Sequence, residues 1–68
     1  MTNTSLLEGY IEKSGYKKSY IAKALGLTRS GLFLKCTNQN EFKASEIEIL
    51  CTLLNIDIDD RMKIFFAK

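Results

Sequence analysis

The sequence predicts an all-helical fold of five short helices. Three observations carry this. Apolar residues return at helical spacing in successive segments. β-Branched residues do not cluster and no strict alternation runs for long, so strands are unsupported. Helix start and stop residues punctuate the segments, and the 68 residues contain no proline. A chain of this length forms one small domain, 1–68, and buries only about 60% of its unfolded surface, so such domains often rely on a partner.

The first helix is expected over residues 4–14, where Leu6, Leu7, Tyr10 and Ile11 make one apolar face and Gly15 ends it in a left-handed cap. The second covers residues 17–25, with Ile21, Ala22 and Leu25 turned inward. Gly26 then supplies a tight turn of positive φ. Thr28 caps a third helix that runs to Cys36, with Leu32 and Cys36 one turn apart on its inner face. Residues 37–43 are polar and loop-like. Ser45 and Glu48 have the spacing of a capping box and open a fourth helix, 45–54, whose Ile47, Leu50, Cys51 and Leu54 share a face. Asn55 is its C-cap. Asp57 caps a fifth helix, 58–66, with Asp59 and Asp60 in the first turn, where carboxylates suit the dipole. Ile58, Met62, Phe65 and Phe66 give it an apolar side.

Composition narrows the function classes. Apolar residues are 46% and charged residues 26%, the proportions of a soluble globular domain and not of a disordered tail, a collagen-like repeat or a disulfide scaffold. No apolar run approaches the roughly 18 residues of a membrane span. Residues 1–7 lack the pattern of a secretory signal, so a cytoplasmic protein without membrane attachment is expected. Cys36 and Cys51 form no CxxC pair and there is no histidine, so no zinc set can be assembled; both read as reduced core residues. Without histidine the commonest general base is missing as well. Asp57, Asp59 and Asp60 are accounted for by capping and dipole. Neither an enzyme nor a cofactor is expected.

Charge is unevenly distributed. Residues 1–43 hold seven basic side chains against three acidic, and residues 44–68 hold three against five. Between Lys13 and Asn40 there are six basic residues and no acidic one. Two readings are open: a face for an anionic partner, or a solvated surface that happens to be basic.

Residues 18–36 favour the first. A short helix with Ala22 at its centre is followed by Leu25-Gly26-Leu27, the capping Thr28 and another short helix. Ala22 is small where the next helix crosses, Gly26 is permissive where the chain turns, and Ile21, Leu25, Leu27 and Leu32 fix the angle. That is the logic of a helix-turn-helix spanning about residues 17–36, which projects its second helix into a major groove. A corner of two helices in an unrelated bundle is the plain alternative.

The segments KSYIAKALGLTRSGLFLK (18–35) and FKASEIEILCTLLNI (42–56) resemble the phage repressor and Cro-type helix-turn-helix family. The resemblance covers roughly Leu6 to Ile56. It implies a compact five-helix, lambda-repressor-like domain that binds a double-stranded DNA operator, commonly as a dimer, in a switch of the lytic–lysogenic type.

By position in the family motif, base-reading residues lie at the start of the third helix: Thr28, Arg29 and Ser30, with Phe33 and Leu34 further along. Arg29 can bond guanine O6 and N7 together, and Phe33 can meet thymine methyls. Lys17, Lys18 and Ser19, at the start of the second helix, are placed for phosphates. Asn38, Gln39, Asn40 and Lys43 would grip the backbone from the following loop, although turn chemistry alone also explains Asn and Gln there. Lys35 departs from the pattern, in a slot that is usually apolar. Either its stem packs and its amine reaches a phosphate, or the helix is rotated and Cys36 takes the buried place.

The exposed Phe33 and Leu34 beside Arg29 also fit a protein-binding hot spot. A second function therefore stands beside the first: an antirepressor or modulator that binds a partner repressor protein through the same surface. Ile49, Leu53, Ile64, Phe65 and Phe66 either complete the core or form a homodimer patch.

Overall fold

The structure, a computed structural model, describes residues 2–66. Five α-helices follow one another: α1 (Thr4–Ser14), α2 (Lys18–Ala24), α3 (Arg29–Cys36), α4 (Ala44–Leu54) and α5 (Ile58–Phe65). Among the described residues there is no strand. The expected helix ends differ from these by a residue or so.

Three helices begin on a side-chain cap. Asn3 Oδ1 accepts from the Leu6 N–H at 3.2 Å, Thr28 Oγ1 from Gly31 at 3.0 Å and Asp57 Oδ1 from Asp60 at 2.8 Å. Two turns need positive φ and have glycine: Gly15 at 76° closes α1, and Gly26 at 72° lies between α2 and α3. Past Gly26, the Leu27 N–H reaches back to the Ala22 carbonyl at 2.8 Å and tightens the corner. Asn55 ends α4 in the left-handed region, as its cap role requires.

The start of α4 departs from expectation. The N-cap is Lys43, and the carboxylate that closes back on it is Glu46, whose Oε1 accepts from the Lys43 N–H at 2.8 Å. Ser45 lies inside the first turn. The lysine side chain has no acceptor, so the cap is one-sided. Glu46 is selected over Glu48 because it faces inward, towards a lysine on α3.

The core is built from Leu7 and Ile11 of α1, Ile21, Ala22 and Leu25 around α2, Leu32 and Cys36 of α3, Ile47, Leu50, Cys51 and Leu54 of α4, then Ile56, Ile64 and Phe65. Leu6, Tyr10, Leu27, Phe42 and Leu53 pack against its edge. α2 packs on α3, and α1 lies across α4 and α5. Both cysteines are free and buried.

The roll of α5 corrects its expected inner face. Ile64 and Phe65 turn inward, with Phe65 edge-on to Phe42 at 5.5 Å between ring centres. Ile58, Met62 and Phe66 turn outward, Ile58 being 75% exposed. Polar ties fix that roll. The Tyr10 hydroxyl donates to Asp60, the Arg61 guanidinium meets Glu48 at 2.8 Å, and the Asn3 N–H donates to the Ile64 carbonyl. The dimer patch expected from the sequence is thereby divided. Ile64 and Phe65 complete the core, Leu53 is half-buried, and Ile49 and Phe66 are exposed.

Candidate functional site

The α2–α3 corner brings five of the candidate residues together, Lys18, Arg29, Ser30, Phe33 and Leu34. Thr28, capping α3, holds the first turn in place. Arg29 and Ser30 follow in that turn, both exposed, and Phe33 stands one turn on from Arg29, 60% exposed. Leu34 is half-buried beside it. Arg29, Ser30, Phe33 and Leu34 line one shallow, open depression. A neighbouring cleft brings Lys18, from the start of α2, next to Arg29 and Phe33. Arg29 makes no ion pair among the described residues.

Gly31 stands in α3 between Ser30 and Leu32. The fold gives it a local reason. A Cβ at this position would lie 3.2 Å from Thr28 Oγ1, the atom that accepts the Gly31 N–H. The cap and the missing side chain go together.

Lys17, Lys18 and Ser19 are exposed at the start of α2. Lys18 Nζ lies 3.1 Å from Glu8, with both side chains well solvated. An exposed pair of this kind contributes about 0–1 kcal/mol, so it holds Lys18 only weakly.

Lys35 is corrected. It is buried, and its ammonium lies 2.5 Å from Glu46 Oε1, so it does not reach a phosphate. Both open alternatives for this slot are met in part: Cys36 takes a buried place, and Lys35 takes the next one. Burial alone would push the Glu46 carboxyl up. The Lys35 ammonium and the Lys43 N–H outweigh it and hold the carboxyl below its ordinary value. Glu46 thus joins α3 to the start of α4. The sequence carried a signal for this, since a lysine on an inward slot demands a carboxylate, but not which of Glu41, Glu46 and Glu48 supplies it.

The loop after α3 is largely committed to the fold. Asn38 adopts φ 64°, and its side chain binds both backbone groups of Thr2, accepting from the N–H at 2.8 Å and donating to the carbonyl at 2.9 Å. This amide ties residue 2 to the end of α3 and is not left free for a phosphate. Gln39 donates to Thr37 Oγ1 at 3.3 Å. Asn40 and Lys43 are exposed at the rim. The Leu34 carbonyl accepts from the N–H groups of both Gln39 and Asn40, closing the helix end.

Two exposed features were not expected as surface groups. Tyr16 and Tyr20 stack with ring centres 5.1 Å apart beside Lys17. Ile58, Met62 and Phe66 form an outward stripe on α5. On α5 the spacing of four residues marks a shared face, but not whether that face is inside or outside.

Among the described residues no three His, Cys, Asp or Glu groups gather as a metal site, and no helix is long and apolar enough to cross a membrane. Compared with protein-family models, curated proteins and solved structures, the chain matches none.

Proposed function

We propose that the chain is a small helix-turn-helix transcriptional regulator of the phage repressor and Cro type, with a lambda-repressor-like fold. It binds operator DNA in the cytoplasm through α3, in a switch of the lytic–lysogenic kind. One observation carries the reading: a capped α3 presents Arg29, which makes no ion pair among the described residues, with Ser30 and Phe33 on the same exposed side and Lys18 next to them. Arg29 bonds guanine, and Lys17 and Lys18 neutralise phosphates. The outward stripe of Ile58, Met62 and Phe66 serves a homodimer, which pairs two half-sites.

The exposure of Phe33 favours a second reading, an antirepressor whose α3 docks on a partner repressor protein.

Fluorescence anisotropy separates the two. The protein is titrated onto duplex DNA from around its own gene and onto a scrambled duplex, with salt stepped from about 50 to 200 mM. The DNA reading expects a preference that survives the higher salt. Arg29→Ala then costs about 1–3 kcal/mol, roughly 5- to 150-fold in affinity. Equal, salt-sensitive binding to both duplexes would overturn it in favour of the protein partner.

A further inference from the structure

We propose that Phe33 makes the site selective for a 5-methylpyrimidine, thymine or 5-methylcytosine, one or two base pairs from the guanine read by Arg29. The inference rests on the DNA-binding reading and names the base chemistry that this surface takes.

Phe33 is 60% exposed and lies outside the core cluster. It offers no donor and no acceptor. Its neighbours in the depression divide the chemistry: Arg29 and Ser30 carry hydrogen-bonding groups, while the half-buried Leu34 adds apolar lining. The major groove presents one apolar feature, the methyl group on pyrimidine C5. Arg29 and Phe33 are one helical turn apart, about 5.4 Å along the axis, against a base-pair rise of about 3.4 Å. With α3 lying along the groove, a guanine and a methylated pyrimidine one or two steps away face both side chains at once.

Charge selects DNA over an apolar protein surface as the occupant. The depression is bordered by Arg29 and, across the adjoining cleft, by Lys18, with Glu8 as the acidic neighbour already paired to that lysine. A groove wall supplies the matching anions around a small apolar contact. The depression is shallow and open and combines the hydrogen-bonding Arg29 and Ser30 with the apolar Phe33 and Leu34, as a base edge requires.

The test begins with selection from a random-core duplex pool on the full chain. The enriched duplex is then remade with uracil in place of thymine, which removes only the C5 methyl. A further pair carries cytosine or 5-methylcytosine at the same position. Wild-type affinity is expected to fall about fourfold from thymine to uracil, the weight of one methyl-sized group withdrawn from water. It is expected to rise by a similar factor from cytosine to 5-methylcytosine. Phe33→Ala is expected to bind the thymine and uracil forms alike while keeping the guanine preference. Since Phe33 is exposed and outside the core, the variant keeps its fold, which circular dichroism checks.

Equal wild-type binding to the thymine and uracil forms overturns the proposal and leaves the DNA reading standing. Retained methyl discrimination in Phe33→Ala overturns it too. A selection that enriches no sequence removes the DNA reading, and this inference with it.

Discussion

Lys35 is the residue on which the geometry of the site depends most. Its ammonium and the Glu46 carboxylate form a buried pair that spans α3 and α4. Removing one partner strands the other charge. Lys35→Ala is expected to cost about 3–5 kcal/mol. A domain of this size has only about 3–10 kcal/mol in total, so urea titration should find the variant largely unfolded or close to it. Lys35→Met with Glu46→Gln removes both charges yet keeps an oxygen for the Lys43 N–H. That double variant is expected to recover most of the loss. At this scale the sequence was legible where chemistry and spacing agreed. Thr28 and Asp57 cap as their side chains require. Asn38 was less so, because its partners in residues 2–4 are more than thirty positions away and nothing local announces them.

The elements themselves followed from the sequence because their ends are written in it. Gly15, Gly26 and Asn55 sit where positive φ is needed, and the chain ends or turns a helix at each. The capping bond of Asp57 contributes to α5 in proportion. Asp57→Ala is expected to lose about 0.5–2 kcal/mol, most of it from the unsatisfied Asp60 N–H. In thermal unfolding each lost kcal/mol lowers the Tm by about 4–8 °C for a domain of this size. What the sequence left open was roll. Ile58, Met62, Phe65 and Phe66 satisfy a helical period, and so do Ile64 and Phe65 with their neighbours. The choice was made by contacts with other elements: Asp60 with Tyr10, Arg61 with Glu48 and Phe65 with Phe42. The start of α4 was decided in the same way, when Lys35 drew Glu46 inward and left Ser45 inside the turn.

Across the whole molecule, pH reaches stability from two ends. Glu46 is held below its ordinary value in the fold, so its contribution is complete above the usual carboxylate range and is lost as pH falls through the lowered value. Tyr10 behaves oppositely. Its hydroxyl donates to the Asp60 carboxylate, which pushes the phenol up to about 12. That contribution is complete below the ordinary tyrosine value near 10 and is lost as pH rises through the folded one. With no histidine in the chain, no imidazole titrates near neutrality. Chemical denaturation across pH should therefore show a plateau around neutrality, an acid limb that Glu46→Gln flattens and an alkaline limb that Tyr10→Phe flattens. The basic first part and acidic last part of the chain were plain in the composition. That Arg29 and the exposed Phe33 share one depression required the folded α3.

The two thiols give the chain a way to be watched. Cys36 lies beneath α3 and Cys51 beneath α4, both unbonded, and burial pushes each thiol up, away from its reactive thiolate form. Both thiols are almost fully covered, so labelling reports how far each one's surroundings open. Single-cysteine versions would then act as separate clocks, one timing the opening of the surface that carries Arg29 and the other timing the scaffold behind it. On the proposed function, operator DNA should slow the first clock first.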